Sequence, residues 1–153
     1  MRRRSLTSHA ARTVRSSRST LRPTGMPRFE EITPILRVRD VAASIGYYIE
    51  KLGFATSWRW GEPPSFGAVR RDDLEIQFCK DGQGCAGTWI SVWVDDVDML
   101  YEDLRVRGAD IRQPPTNFEW GVREMNVGDP DGHRLRFGMS TDQPADGVPL
   151  AED

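Results

Sequence analysis

The sequence predicts an α+β fold built from two βαβββ modules. Three observations carry that expectation. "VRDVAASIGYYIEKLGF" (Val38–Phe54) and "VDDVDMLYEDLRVRGAD" (Val94–Asp110) share one plan: strand end, Asp cap, amphipathic helix, Gly stop. The two copies keep their spacing, with Asp40 and Asp96 56 residues apart and Gly53 and Gly108 55 apart. Each helix also follows one short apolar segment and precedes three more, separated by turn residues.

In the first module, "ITPILRV" is the opening strand and Asp40 the helix N-cap. Val41, Ile45, Tyr48, Ile49 and Leu52 recur at helical spacing, and Gly53 ends the helix. The strands "FATSWRW", "FGAVRR" and "LEIQFCK" follow, broken by "GEPPS" and an Asp-Asp turn. The second module opens with "TWISVWV". Asp95 or Asp96 caps a helix whose buried face is Val97, Leu100, Tyr101 and Leu104, and Gly108 stops it. Then come "ADIRQ", a strand starting near Trp120, and "RLRFGM", broken by "PPTN" and "DPDGH". The modules span about 32–80 and 88–139 of a single domain over 29–140.

Each helix covers one face of its sheet, and alternation assigns the other face. Leu36, Val38, Ile76 and Phe78 go under the first helix, leaving Thr33, Ile35, Arg37, Glu75, Gln77 and Cys79 open. Ile90, Val92, Leu135 and Phe137 go under the second, leaving Trp89, Ser91, Trp93, Arg134, Arg136 and Gly138. On the strand after Trp120, parity puts Val122, Glu124 and Asn126 on the open side, and Arg123, Met125 and Val127 on the covered side. A bulge at Gly121 would reverse part of that assignment. Open faces that mix Trp, Arg, Glu and Gln meet a ligand or a partner.

The charge is unevenly spread. Seven of the 21 basic residues and none of the 23 acidic ones precede Met26, so the remainder carries −9. Residues 1–28 read as a disordered basic tail, similar in composition to a transit peptide, or as sequence upstream of a true start at Met26; neither reading makes them a nucleic-acid site. Residues 141–153 read as a polar tail that frays. No apolar run approaches the roughly 20 residues of a membrane span. Cys79 and Cys85 are expected as free thiols in a cytoplasmic protein. His133, at the DPDG turn, reads as a solvated turn residue. No Gly-rich phosphate loop, nucleophile elbow or His–carboxylate pair is present.

"PILRVRDVAASIGYYIEKLGF", "WVDDVDMLYEDLRVRGA" and "WGVREMNVGDPDGHRLRF", in this order over roughly residues 32–139, resemble the vicinal-oxygen-chelate superfamily, the glyoxalase/bleomycin-resistance/dioxygenase group. The resemblance is nearest to its bleomycin-resistance branch. It implies a cup formed by paired modules and a homodimer. Enzymes of the superfamily hold a divalent metal at four positions, which fall here on Thr33, Glu75, Trp89 and Arg136. Only Glu75 is a usual ligand, because Trp offers no lone pair and Arg is a permanent cation. The resemblance therefore implies a metal-free and cofactor-free cup, with a Glu75–Arg136 ion pair where the ion would stand. Trp120 and Arg123 match the Trp and Arg of the branch's motif, in which the drug stacks on aromatic rings between two subunits.

The expected function is binding and sequestration of a planar or amphiphilic small molecule, bleomycin-type drugs among the candidates. Its site would comprise Arg37, Glu75, Gln77, Trp89, Ser91, Trp93, Trp120, Arg123, Glu124, Asn126 and Arg136. The alternatives are a metal-dependent lyase or oxidoreductase with a displaced ligand set, and an interaction module whose Trp-rich face binds protein.

Overall fold

Asp40, two residues past the first strand, starts the first helix: its side chain accepts the Ala43 N–H, one of the amides that a helix start leaves unpaired. The computed structural model describes residues 25, 27 and 30–147, so the basic tail, the Met26 start and the last residues of the polar tail lie outside the described residues. The chain divides into two units, Met1–Ile32 and Thr33–Asp153, and the elements below all belong to the second.

The first module is β1 (Ile35–Val38), α1 (Val41–Leu52), β2 (Ala55–Trp60), β3 (Phe66–Arg71) and β4 (Leu74–Lys80). The second is β5 (Trp89–Trp93), α2 (Val97–Val106), β6 (Asp110–Phe118), β7 (Val122–Gly128) and β8 (Arg134–Ser140). The sheets have orders β1-β4-β3-β2 and β5-β8-β7-β6, each with one parallel pair (β1–β4, β5–β8) and two antiparallel pairs. The predicted α+β repeat is therefore realised strand for strand.

Helix α1 buries Val41, Ile45, Tyr48 and Leu52 against its sheet. Gly53 closes it at φ 73°, a left-handed conformation that side chains rarely adopt, and Arg71 donates to the freed Leu52 carbonyl at 2.6 Å. Asp96 caps α2 through the Met99 N–H, which settles the choice between Asp95 and Asp96. The covered faces of both modules join one apolar cluster, in which Leu36, Ile45, Tyr48 and Phe78 are continuous with Leu104, Met125, Leu135 and Phe137.

One strand runs further than expected. Pro114 and Pro115 do not end β6, which continues to Phe118. Register shifts on either side of Gln113 absorb the two prolines, and β6 is an edge strand, where a missing N–H costs no ladder bond. The stretch expected to fray from 141 is held as far as Asp146. Thr141 N–H donates to Gly121, and Asp146 and Asn117 exchange bonds in both directions.

The DPDG turn joins the modules. Asp129 accepts the N–H groups of Asp131 and His133 on Oδ1 and the Tyr48 hydroxyl on Oδ2, at 2.9, 2.9 and 3.0 Å. Burial, with the Asp129 charge beside it, pushes the Tyr48 hydroxyl well above its usual pKa and keeps it a donor. Asp131 accepts from Arg39 N–H and Nε, both at 3.0 Å, and from Ser44 Oγ. His133 is not a solvated turn residue but is fully buried. Its Nδ1 accepts the Thr88 N–H at 3.0 Å, so the proton sits on Nε2 and is donated to the Arg37 carbonyl at 2.7 Å. A turn motif that looks like a simple hairpin is thus a clamp holding β1 and α1 to the start of β8.

Candidate functional site

The open face of the second sheet is assembled by register. Trp93, Gly138, Glu124 and Thr116 form one row across β5, β8, β7 and β6; Ser91, Arg136, Asn126 and Gln113 form the next. In the first row Gly138 supplies no side chain between Trp93 and Glu124. A Cβ there would already lie 3.2 Å from Val122 Cγ1 and 3.6 Å from Glu124 Cβ. The space left is a cavity of about 200 Å³ lined by Ser91, Trp93, Trp120, Val122, Glu124, Arg136 and Gly138. Trp120, in the turn between β6 and β7, stacks on Phe118 with ring centroids 4.5 Å apart and planes 7° from parallel. Trp93 and Trp120 are 60% and 50% exposed, far more than core-filling would leave open.

Five predicted site residues, Ser91, Trp93, Trp120, Glu124 and Arg136, therefore meet at one cavity. Trp89 shares their face one row further along, paired in register with Arg134. Asn126 is buried beneath the face and donates to Gln113 Oε1 at 3.1 Å, leaving Gln113 Nε2 and Asn126 Oδ1 without partners among the described residues. Arg123 lies elsewhere. Gly121 closes a turn rather than a bulge, so parity holds and Arg123 reaches the helix side. There it pairs with Asp98 at 2.7 Å and donates to Asn117 at 3.1 Å. The Arg123–Asp98 hydrogen bond, with the Arg123 charge, holds the Asp98 carboxyl below its usual value despite the opposing effect of burial.

Arg37, Glu75 and Gln77 occupy the open face of the first sheet, where Gln77 and Cys79 align with Ile35 and Arg37 of β1. The expected Glu75–Arg136 pair does not form. Glu75 accepts from Ser57 and Arg70 at 2.9 Å and from Gln77 at 3.4 Å, while Arg136 lies 3.8 Å from Glu124 and donates to Ser91 at 3.4 Å. The reason is local. Arg70 stands directly opposite Glu75 on the β3–β4 ladder, and a cross-strand neighbour forestalls a distant partner.

Burial works to raise the Glu75 pKa, but the bonds from Ser57, Arg70 and Gln77 outweigh it and hold the carboxyl below its usual 4.5. A depressed carboxyl contributes stability above the unfolded value and loses it as pH falls below about 4.5. Because Arg70 is half exposed, the Glu75–Arg70 coupling in a double-mutant cycle is expected at roughly 0.2–1 kcal/mol. The Glu75–Arg136 cycle should be additive. Urea melts of both cycles check this, and coupling confined to Glu75–Arg136 would contradict the arrangement.

Four residues of this first face escaped the sequence reading: Ser57, Trp58, Trp60 and Phe66. Trp58 and Phe66 pack at 5.2 Å, and Trp60 is 73% exposed. Their signal was the alternation in "SWRW", but a register shift between Thr56 and Trp58 breaks simple parity. A larger recess of about 410 Å³ opens near the DPDG turn. Arg39 and Asp131 in its wall are bonded to each other and its lining includes no aromatic ring, so the second-sheet cavity is the better site.

The superfamily's metal positions do not fit a divalent ion. Of Thr33, Glu75, Trp89 and Arg136, only Glu75 is a usual ligand, and its oxygens are already taken by three donors. Among the described residues no three His, Cys, Asp or Glu side chains form a metal-holding group.

Residues 18–143 match the family model described as glyoxalase superfamily protein. The chain belongs to the glyoxalase superfamily. Solved structures agree with this superfamily fold. TioX from Micromonospora sp. ML1 is 24% identical, with TM-score 0.64, over 73% of this chain and 99% of that one. A bleomycin resistance determinant encoded on the transposon Tn5 is 24% identical, with TM-score 0.63, over 75% and 100%. A bleomycin-binding protein complexed with bleomycin is 25% identical, with TM-score 0.62, over 73% and 99%. No curated protein matches the chain. Among the described residues, no helix of this superfamily member is long and apolar enough to cross a membrane.

Proposed function

We propose that the protein binds a planar or amphiphilic small molecule at the Trp93–Trp120 cavity and acts by sequestration, with no bond made or broken. The observation that carries this reading is the cavity itself. Two exposed indoles wall a space that exists because Gly138 has no side chain, with Glu124 and Arg136 at its edge. Flat aromatic walls with a few polar groups capture flat ligands. The likeness to a protein complexed with bleomycin makes bleomycin-type drugs the first candidates. The poor donor set at the four metal positions favours binding over metal-dependent lyase or oxidoreductase chemistry.

The reading includes a homodimer whose facing modules build two cups. It also places the protein in the cytoplasm, where the free Cys79 and Cys85 would stay reduced.

The test is a tryptophan-fluorescence titration with bleomycin-family drugs and a panel of planar compounds, with metal content measured on the same sample. Saturable quenching is expected, without a stoichiometric divalent ion, and a chelator should leave the melting temperature unchanged. One tightly held Ni, Zn, Mn or Fe per subunit, together with turnover of a panel compound, would favour the enzyme reading.

A further inference from the structure

Glu124 lines the cavity at 5% exposure, and no hydrogen bond to it forms among the described residues. Its nearest charge is Arg136 Nε at 3.8 Å, beyond hydrogen-bond reach and on a side chain that is 45% exposed. Each neighbour has a reason not to serve it. The Thr116 hydroxyl, opposite on β6, donates to the Pro114 carbonyl at 2.8 Å. The Asn126 amide, next on its own face, donates to Gln113. Gly138, opposite on β8, has no side chain, and Trp93 lies beyond it. Glu75, the carboxylate of the other open face, differs in having three donors. A buried carboxylate left without donors is costly, so an underserved one facing a cavity marks a position for a donor from outside.

We infer that Glu124 selects the ligand's chemical class: a flat aromatic compound bearing a protonated or N–H-donating nitrogen, such as an aryl amidinium, with its ring against Trp93 and Trp120 and its nitrogen on the Glu124 carboxylate. The inference rests on the small-molecule-binding reading of this cavity. A charge-assisted bond to a buried carboxylate outweighs repulsion by Arg136, which is half in water and already turned to Ser91 at 3.4 Å. The two indoles add cation–π attraction for the same charge. An anion would instead bring a second negative charge beside the Glu124 carboxylate, which no hydrogen-bond donor serves among the described residues. Burial raises the Glu124 carboxyl and the Arg136 charge only partly offsets it, as expected of a group awaiting a donor.

The test compares 2-naphthamidine, 2-naphthamide and 2-naphthoate, three probes with one ring system and different charge, by tryptophan fluorescence on the full chain. The amidine should bind about tenfold or more tighter than the other two, and Glu124→Gln should erase that preference. A merely structural role for Glu124 would weaken the three probes together and leave their ratio unchanged. Should the variant fail to fold, the wild-type protein supplies the same answer. Its amidine preference should shrink as pH falls through a Glu124 value above the ordinary 4.5, where Arg136 is the charged group facing it and Thr116, Asn126 and Trp93 are neutral. Equal binding of the three probes, or tightest binding of naphthoate, overturns the inference and leaves ring capture standing. Binding of none overturns it as well, and the wider reading then rests on the drug panel.

Discussion

Asp129→Ala should destabilise the protein by about 3–5 kcal/mol, because it strands three donors at once, each worth roughly 1–3 when left buried and unpaired. These donors are the hydroxyl of the fully buried Tyr48 and the N–H groups of Asp131 and His133. The losses share one network and will not add fully. At a few degrees per kcal/mol, the melting temperature should fall by roughly 10–20 °C. Asp129→Asn separates bonding from charge. Its carbonyl keeps both backbone bonds and its amide can donate to the Tyr48 oxygen, so it should lose about 1–2 kcal/mol. Thermal and urea melts of both variants decide the matter. A cost for Asp129→Ala below about 1 kcal/mol would mean that the turn does not clamp the modules.

The second large effect is on binding. Replacing Trp93 and Trp120 together by Ala should weaken the ligand found by screening at least about 100-fold, since buried aromatic anchors are each worth roughly 2 kcal/mol or more and 1.4 kcal/mol is tenfold. Stability should move much less. Trp93 is 60% exposed, and Trp120 gives up mainly its stack on Phe118, worth about 0.5–1.5 kcal/mol. Trp89→Ala serves as the comparison: it lies on the same strand and face but outside the cavity lining, so it should cost far less affinity. Isothermal titration across the three proteins gives the ranking. If Trp89→Ala proves as damaging as the double change, the site lies further along β5 towards Arg134.

Glu124 links the two kinds of experiment. Because burial raises its folded pKa, ionising it opposes folding, and that cost grows as pH rises above the unfolded value near 4.5. Glu124→Gln should therefore gain stability at neutral pH while losing the amidine preference. A binding group kept at the expense of stability is the expected signature of a functional position.

The repeat, the Asp40 cap, the Gly53 stop and the open faces of β1, β4, β5 and β8 were legible in the sequence, because each depends on periods of 2 or 3.6 within a few residues of chain, whereas the second cap was narrowed only to Asp95 or Asp96. Local periodicity also put Arg123 on the covered side, against the role its motif implied, and its bonds to Asp98 agree with that placement. What tertiary structure alone decided was which polar groups meet. Glu75 found Arg70 across a ladder instead of Arg136 in the other module. His133 went from a turn into a fully buried joint, and Arg39 reached Asp131 across 92 residues. The Pro114–Pro115 pair was absorbed by an edge strand whose position no local pattern encodes. The cavity belongs to the same class. It arises because register sets a glycine between Trp93 and Glu124, three residues whose alignment depends on how strands far apart in the chain come to pair.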